Sequence, residues 1–222
     1  MHLSNIKNKI PEGLYSVLEN EKISELRPAQ EKAIEAGLLE GENLLVCTPT
    51  SSGKTLIAEL GMLNCVLNGN GKALYIVPLK ALGSEKFNDF KRKYEGKAKV
   101  ALSIGDFDTS DPHLINYDII ICTAEKLDSL IRHHAPWLSK IGVVVIDEIH
   151  LINDPGRGPT LEILITLLRT LLKKVQIIGL SATIGNPKEL ADWLDSKLVL
   201  DTWRPVKLHK GIYVQGELTF KE

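Results

Sequence analysis

Lys54, Thr55, Asp147 and Glu148 are a cation, a hydroxyl and two carboxylates, the set of groups that handles a phosphoanhydride. The stretch Asn43 to Glu59 reads NLLVCTPTSSGKTLIAE. In it Thr48-Pro49-Thr50-Ser51-Ser52-Gly53-Lys54-Thr55 closes on the Gly-Lys-Thr of the Walker A pattern. Gly53 lets the backbone approach a phosphate, Lys54 reaches the β- and γ-phosphates, and the Thr55 hydroxyl ligates magnesium. The N–H groups that open the following helix favour an anion. A Gly-Lys-Thr triplet by itself is a weak signal, equally at home in a tight strand-to-helix turn, and Thr48 stands where the pattern has its first glycine. The partner motif is Val143 to His150, VVVIDEIH. Its aliphatic run reads as a strand buried on both faces. Two carboxylates follow at its C-terminal end, where open α/β sheets place their ligands. Asp147 then holds magnesium, and Glu148 accepts the proton of the attacking water or orients it. The bland alternative is a solvated acidic turn, which the pairing with Lys54-Thr55 disfavours.

These groups must be positioned by strands and helices, and the chain supplies both in alternation. Leu44 to Cys47 reads as the strand before the phosphate loop, and a helix runs from Lys54 to about Leu67. Upstream, Pro11 to Asn20 reads as a short helix with Leu14, Val17 and Leu18 on one face, while residues 1–10 read as polar and loosely held. Pro28 suits the first turn of a helix continuing to Leu39. Gln30 sits in that first turn; its amide donates and accepts, which suits an adenine edge, although a lone helical glutamine is usually a solvated residue. Strands follow at Ala73 to Val77, Lys99 to Ile104, Asp118 to Cys122 and Val175 to Leu180, with late strands at Lys197 to Leu200 and Val206 to Val214. Helices are expected at Lys80 to Lys93, after Thr123 and at Pro187 to Leu194. The alternation means βαβ units and a mostly parallel sheet whose polar strand ends share one edge.

The length of 222 residues fits one large α/β domain. A formal net charge of −1 carries no compositional argument for nucleic acid or an acidic membrane. Cys47, Cys65 and Cys122 lie in apolar contexts without metal-ligand spacing, as reduced buried thiols of an intracellular protein do. With no signal peptide and no long apolar run, the expectation is a soluble, cytoplasmic protein without a membrane partner.

The segments TPTSSGKT, VPLKAL, TAEKLDSL, DEIH and SATIGN occur in that order. They resemble motifs I, Ia, Ib, II and III of the superfamily-two DExH-box helicases, and LRPAQ resembles the adenine-reading motif that precedes them. DEIHLINDPGRGPTLE and WRPVKL are similar to the superkiller-type branch and, within it, to the HelQ-like DNA repair helicases of archaea. The resemblance covers about residues 20 to 210; it departs at Thr48 and Ser51, where many relatives carry Ala and Gly. It implies a three-layer RecA-like P-loop fold and the ATP-binding motor of an ATP-dependent DNA helicase or translocase, acting in DNA repair or at stalled replication forks with ATP and Mg2+. Gln30 would read adenine, and Thr48 to Thr55 would cradle the phosphates. Lys54, Asp147 and Glu148 would be catalytic, and Thr55 and Asp147 would hold the metal. His150, Ser181, Ala182 and Thr183 would couple nucleotide state to grip. Pro78, Leu79, Lys80, Ala81, Gly105, Asp106, Thr123, Glu125 and Lys126 would line a single-strand track, holding its backbone without reading sequence.

The resemblance further implies an N-terminal extension over residues 1–20, a first RecA-like domain over 21–202, and in 203–222 the start of a linker or strand toward a second RecA-like domain of the same polypeptide. On this reading the chain is a fragment, nearly inactive alone. The competing classes are the same domain of an RNA helicase, a non-catalytic nucleotide-dependent nucleic-acid-binding module, and a P-loop switch. The switch is disfavoured because the nearest base-reading match, Asn8-Lys9-Ile10-Pro11, lacks its Asp.

Overall fold

The computed structural model describes residues 1–105, 110–172, 174–207 and 210–221. The apolar runs form strands β1 (Leu44–Cys47), β2 (Lys72–Val77), β3 (Val100–Ser103), β4 (Ile119–Thr123), β5 (Ile141–Ile146), β6 (Gln176–Ser181) and β7 (Lys197–Leu200). All seven join one sheet in the order β3-β4-β2-β5-β6-β1-β7, with every pairing parallel. Parallel neighbours need crossovers. Most are supplied by helices α3 (Lys54–Leu67), α4 (Lys80–Lys93), α5 (Ala124–Arg132), α6 (Gly158–Leu171) and α7 (Pro187–Leu194). Helices α1 (Glu12–Asn20) and α2 (Pro28–Glu35) precede the first strand.

The strands are apolar on both faces because both are covered. Leu44, Val46, Tyr75, Val143 and Val145 face α1 to α4, while Leu45, Leu74, Ile76, Val144 and Ile146 face α5 to α7. The result is three layers, helices–sheet–helices. A buried ion pair ties two helices of the first layer: Glu59 Oε1 on α3 lies 3.2 Å from Lys93 Nζ on α4, with both side chains largely buried.

Four local readings are corrected. Residues 1–10 are not loosely held: Leu3–Lys9 form a 3-10 helix whose Leu3 and Ile6, three apart and so on one face, are buried in the first cluster. The Met1 ammonium also donates to Glu31 Oε2 at 2.9 Å. Helix α2 stops at Glu35, short of Leu39, because Gly37 follows at φ +101 and turns Leu38 inward. Helix α6 went unread, although its buried Leu161, Leu164, Ile165 and Leu168 have i, i+3, i+4, i+7 spacing. Of the strand expected over Val206 to Val214, Val206 and Lys207 are not in strand, Leu208 and His209 lie outside the described residues, and Lys210–Val214 form a strand. There β8 (Lys210–Val214) pairs antiparallel with β9 (Glu217–Lys221), through Gln215-Gly216 with φ of 49° and 93°. Positive φ at both central residues is the hairpin-turn geometry. The hairpin is outside the main sheet, and its Ile212, Tyr213 and Phe220 are exposed.

Candidate functional site

The phosphate loop leaves β1 at Cys47 and enters α3 at Lys54. Its shape accounts for Thr48. The backbone is left-handed at Ser51 (φ 65°) and Gly53 (φ 94°), not at position 48, so no glycine is required there. Thr48 is fully buried, its Oγ1 shares a 2.7 Å hydrogen bond with Ser52 Oγ, and its N–H donates to Ser181 O at 3.2 Å. At Gly53 the φ of 94° strains any side chain, and a Cβ 2.4 Å from Gln30 Nε2 would push that amide aside.

Gln30 is buried and joins α2 to this loop. Its Oε1 accepts from Arg27 N at 2.8 Å, and its Nε2 donates to Gly53 O at 3.1 Å. Arg27 Nη1 also donates to Ser51 O at 2.8 Å, and the guanidinium stands 5.5 Å from the Trp203 ring centroid. Arg27 and Trp203 fall within the LRPAQ and WRPVKL segments, but the sequence reading gave neither a role of its own.

Lys54 Nζ curls into its own loop, donating to Thr48 O at 3.0 Å and Pro49 O at 3.4 Å. Burial holds its ammonium below the ordinary lysine range, Glu148 and Asp147 oppose that shift, and Arg204 adds to it. Asp147 and Glu148 follow β5, two places along the sheet from β1 with β6 between them. Lys54, Thr55, Asp147 and Glu148 line one cavity of about 300 Å³ with Arg27 and Lys86. Asp147 is held on both carboxylate oxygens: Tyr75 Oη donates to Oδ2 at 2.8 Å, and Glu148 N donates to Oδ1 at 3.0 Å. Burial is the main reason the Tyr75 phenol is pushed well above its usual range, so it stays a donor. No sequence signal marks Tyr75; only strand register puts it beside Asp147.

Glu148 has φ 51°, a left-handed conformation unusual for glutamate. Its Oε2 is buried without a hydrogen-bond partner among the described residues, 3.3 Å from His150 Nδ1. His150 lies in the 3-10 helix Ile149–Asn153, and the same Nδ1 is 3.5 Å from Ala182 N at the end of β6. That nitrogen cannot accept from Ala182 and donate to Glu148 at once, so it is a two-way contact between these strand ends. Ser181 is fully buried, whereas Thr183 is exposed.

Pro78 to Ala81 follow β2, Gly105 follows β3, and Thr123 and Glu125 span the β4–α5 junction. Leu79, Lys80, Ala81 and Glu125 are exposed, and Gly105 is half-buried with φ 103°. Thr123 is instead buried as the N-cap of α5, accepting from Lys126 N. Lys126 departs from its expected place on the surface track. Its side chain is 2% exposed and its Nζ lies 3.1 Å from Asp111 Oδ2, so the charge is used inside the fold. Asp106 lies outside the described residues. Because β3, β4 and β2 are adjacent, their loops form one half of the sheet edge, and the loops of β5, β6 and β1 form the other.

The three cysteines are free and buried; burial lifts the thiols of Cys65 to about 11 and Cys122 to about 12. Among the described residues no His, Cys, Asp and Glu cluster could hold a metal, and no helix is long and apolar enough to cross a membrane.

A phosphate loop on β1 facing a carboxylate pair on β5, across a parallel three-layer sheet, defines a RecA-like nucleotide-binding domain. The chain belongs to the DEAD/DEAH box helicase family, whose model matches residues 27–190. It is 54% identical over 208 residues to the ATP-dependent DNA helicase Hel308 of Pyrococcus horikoshii, covering 94% of this chain and 29% of that protein. With Hel308 of Pyrococcus abyssi it shares 55% identity over 212 residues, covering 96% of this chain and again 29% of the relative. The crystal structure of the DUF1998 helicase MrfA bound to DNA superposes with a TM-score of 0.75 at 28% identity, over 87% of this chain and 30% of that one. The chain thus spans under a third of the length of each of these proteins.

Proposed function

We propose that this chain is the ATP-binding motor domain of an ATP-dependent DNA helicase acting in DNA repair or at stalled replication forks. The observation that carries the reading is the convergence of Lys54, Thr55, Asp147 and Glu148 on one cavity of about 300 Å³ at the C-terminal edge of the sheet. The relatives named as DNA helicases and the DNA-bound neighbour support DNA as the track.

The residues fit the chemistry. Thr55 Oγ1 and the Asp147 carboxylate are hard oxygen donors of the kind magnesium takes, and the buried Glu148 Oε2 makes no hydrogen bond among the described residues, with His150 Nδ1 3.3 Å away. Magnesium, when bound, neutralises charge on the β- and γ-phosphates. Lys54 exchanges the carbonyls of Thr48 and Pro49 for phosphate oxygens. Glu148 orients the attacking water and accepts its proton. Gln30 keeps one amide hydrogen and one lone pair beyond its contacts with Gly53 and Arg27, enough to meet an adenine edge. His150 with Ser181, Ala182 and Thr183 relays nucleotide state toward the strand-end loops. Pro78, Leu79, Lys80, Ala81, Gly105 and Glu125 carry the single strand along their half of the edge, with Thr123 shaping the last loop. Residues 21–202 form the first RecA-like domain, and 203–222 lead toward a second one that closes on the nucleotide. A soluble intracellular setting goes with this role.

Calorimetry with magnesium and ATP tests the site. Lys54→Ala should lose most of the binding, and equal affinity in that variant would reject the assignment. Glu148→Gln should keep binding, while in the longer polypeptide hydrolysis falls by about 10²-fold or more.

A further inference from the structure

Lys86, on α4, donates from Nζ to Thr55 Oγ1 at 3.0 Å. Thr55 is the hydroxyl that the proposed nucleotide site offers to a divalent cation. Among the described residues no carboxylate pairs with Lys86, so this hydroxyl is where its charge is anchored. Lys86 borders the cavity holding Lys54, Asp147 and Glu148 and also the neighbouring cavity of about 550 Å³, lined by Glu59 and Asp89. Its side chain therefore has a second place to go without repacking the core.

We propose that Lys86 is a resident cation that holds the Thr55 hydroxyl until a divalent metal arrives with the nucleotide and displaces it, so that α4 senses metal–nucleotide occupancy. This rests on the assignment of Thr55 and Asp147 as the metal ligands. A hydroxyl oxygen in contact with a magnesium ion at about 2.0–2.1 Å cannot keep an ammonium at hydrogen-bond distance without bringing two like-signed charges together. One must leave, and the ammonium is the one on a flexible stem. The consequence reaches along α4. That helix begins at Lys80, directly after Pro78-Leu79 at the end of β2. Its first turns fit closely over the sheet, since a Cβ on Gly83 would lie 3.2 Å from Val77 Cγ2. Its far end is fixed by Phe90, fully buried and stacked on Tyr94 at 5.3 Å. Lys86 lies between the anchored end and the exposed loop, where its release is felt by Lys80 and Ala81. Lys86 is thus a positioning residue that acts through Thr55.

The test is a titration of a fluorescent ADP analogue, in magnesium and in chelator, on the wild-type chain, Lys86→Met and Lys86→Arg. Methionine keeps the stem and removes the charge; arginine keeps the charge. The ratio of affinity with magnesium to affinity without it should rise in Lys86→Met by on the order of 3- to 10-fold, and stay near wild type in Lys86→Arg. An unchanged or lower ratio in Lys86→Met overturns the proposal while leaving the nucleotide site standing. Failure of the folded wild-type chain to bind the analogue at all rejects the nucleotide site itself. Manganese titrated alone and followed by spin resonance gives the nucleotide-free readout. Tighter manganese binding by Lys86→Met supports the displacement, and equal binding counts against it.

Discussion

Tyr75 shows how much of the site depends on residues with no motif. Its hydroxyl holds Asp147 Oδ2 at 2.8 Å from the next strand in the sheet, which fixes the direction of the other lone pairs. Groups that orient a metal-binding carboxylate typically change metal affinity by about 10- to 100-fold when removed. Tyr75→Phe keeps the buried ring and its edge contact with Phe90, so the chain should fold. Magnesium should then strengthen nucleotide binding about 10-fold less than in the wild type, while binding in chelator is unchanged. Parallel titrations with and without magnesium measure this; equal loss in both would assign Tyr75 to packing alone. Thr48 makes the opposite point at the same scale. It departs from the usual loop glycine, yet its backbone lies outside the left-handed region and its hydroxyl is used inside the loop.

At the scale of elements, α3 and α4 are locked by the Glu59–Lys93 pair, which Asp89 shares at 2.8 Å from Lys93 Nζ. Burial pushes the Glu59 carboxyl up, and the neighbouring Lys93 charge opposes that shift. Removing one partner of such a pair leaves a buried charge without compensation. Lys93→Met should therefore cost about 3–5 kcal/mol, read from the urea midpoint and slope. The double change Glu59→Leu with Lys93→Met should cost less than the single one, because no carboxyl is then stranded. The single variant also acquires a pH signature. With Glu59 raised further in the folded state, that state holds its proton where the unfolded chain has lost it. Stability should be highest below the ordinary carboxyl value of 4.5 and fall as pH rises through the folded-state value. A flat profile would show that the carboxyl is solvated instead.

For the whole molecule, the residues proposed to meet nucleotide all lie on one edge of the sheet. Lys54, Thr55 and Glu148 line one cavity at the sheet edge, and on the proposed function they would meet a γ-phosphate from that side only. Phosphoryl transfer is catalysed chiefly by positioning and charge neutralisation, and an arginine from a facing element contributes about 10³- to 10⁵-fold in related P-loop systems. Arg157 lines a small cleft with Asp147 and Glu148, and Arg204 is felt at Lys54, so this chain already has guanidinium groups at the edge. On the proposed function, a facing domain is what would drive such a group onto the phosphate. Residues 1–222 alone should therefore bind nucleotide but turn it over about 10³-fold or more below the longer polypeptide with single-stranded DNA. Steady-state phosphate release from both, with and without DNA, measures the difference. Equal DNA-stimulated rates would mean that this domain is self-sufficient.

The strand–loop–helix around Lys54, the placing of Asp147 and Glu148 at the end of β5, and most strands and helices were legible in the sequence for local reasons. Gly53-Lys54-Thr55 is contiguous, β5 is an unbroken aliphatic run, and the boundaries of α3, α4 and α7 follow apolar periodicity and a leading Pro or loop. Local pattern also misled: the 3-10 helix at Leu3–Lys9 hides two buried side chains among polar neighbours, and Lys126 looks like a surface cation. Tertiary structure alone decided strand order, and with it the division of the sheet edge into a β1–β6–β5 half and a β2–β4–β3 half. It also decided that Lys126 meets Asp111, that Tyr75 meets Asp147 and that Lys86 meets Thr55. These contacts join residues 15, 72 and 31 positions apart. Such contacts depend on register and crossover, which no short-range period in the chain encodes.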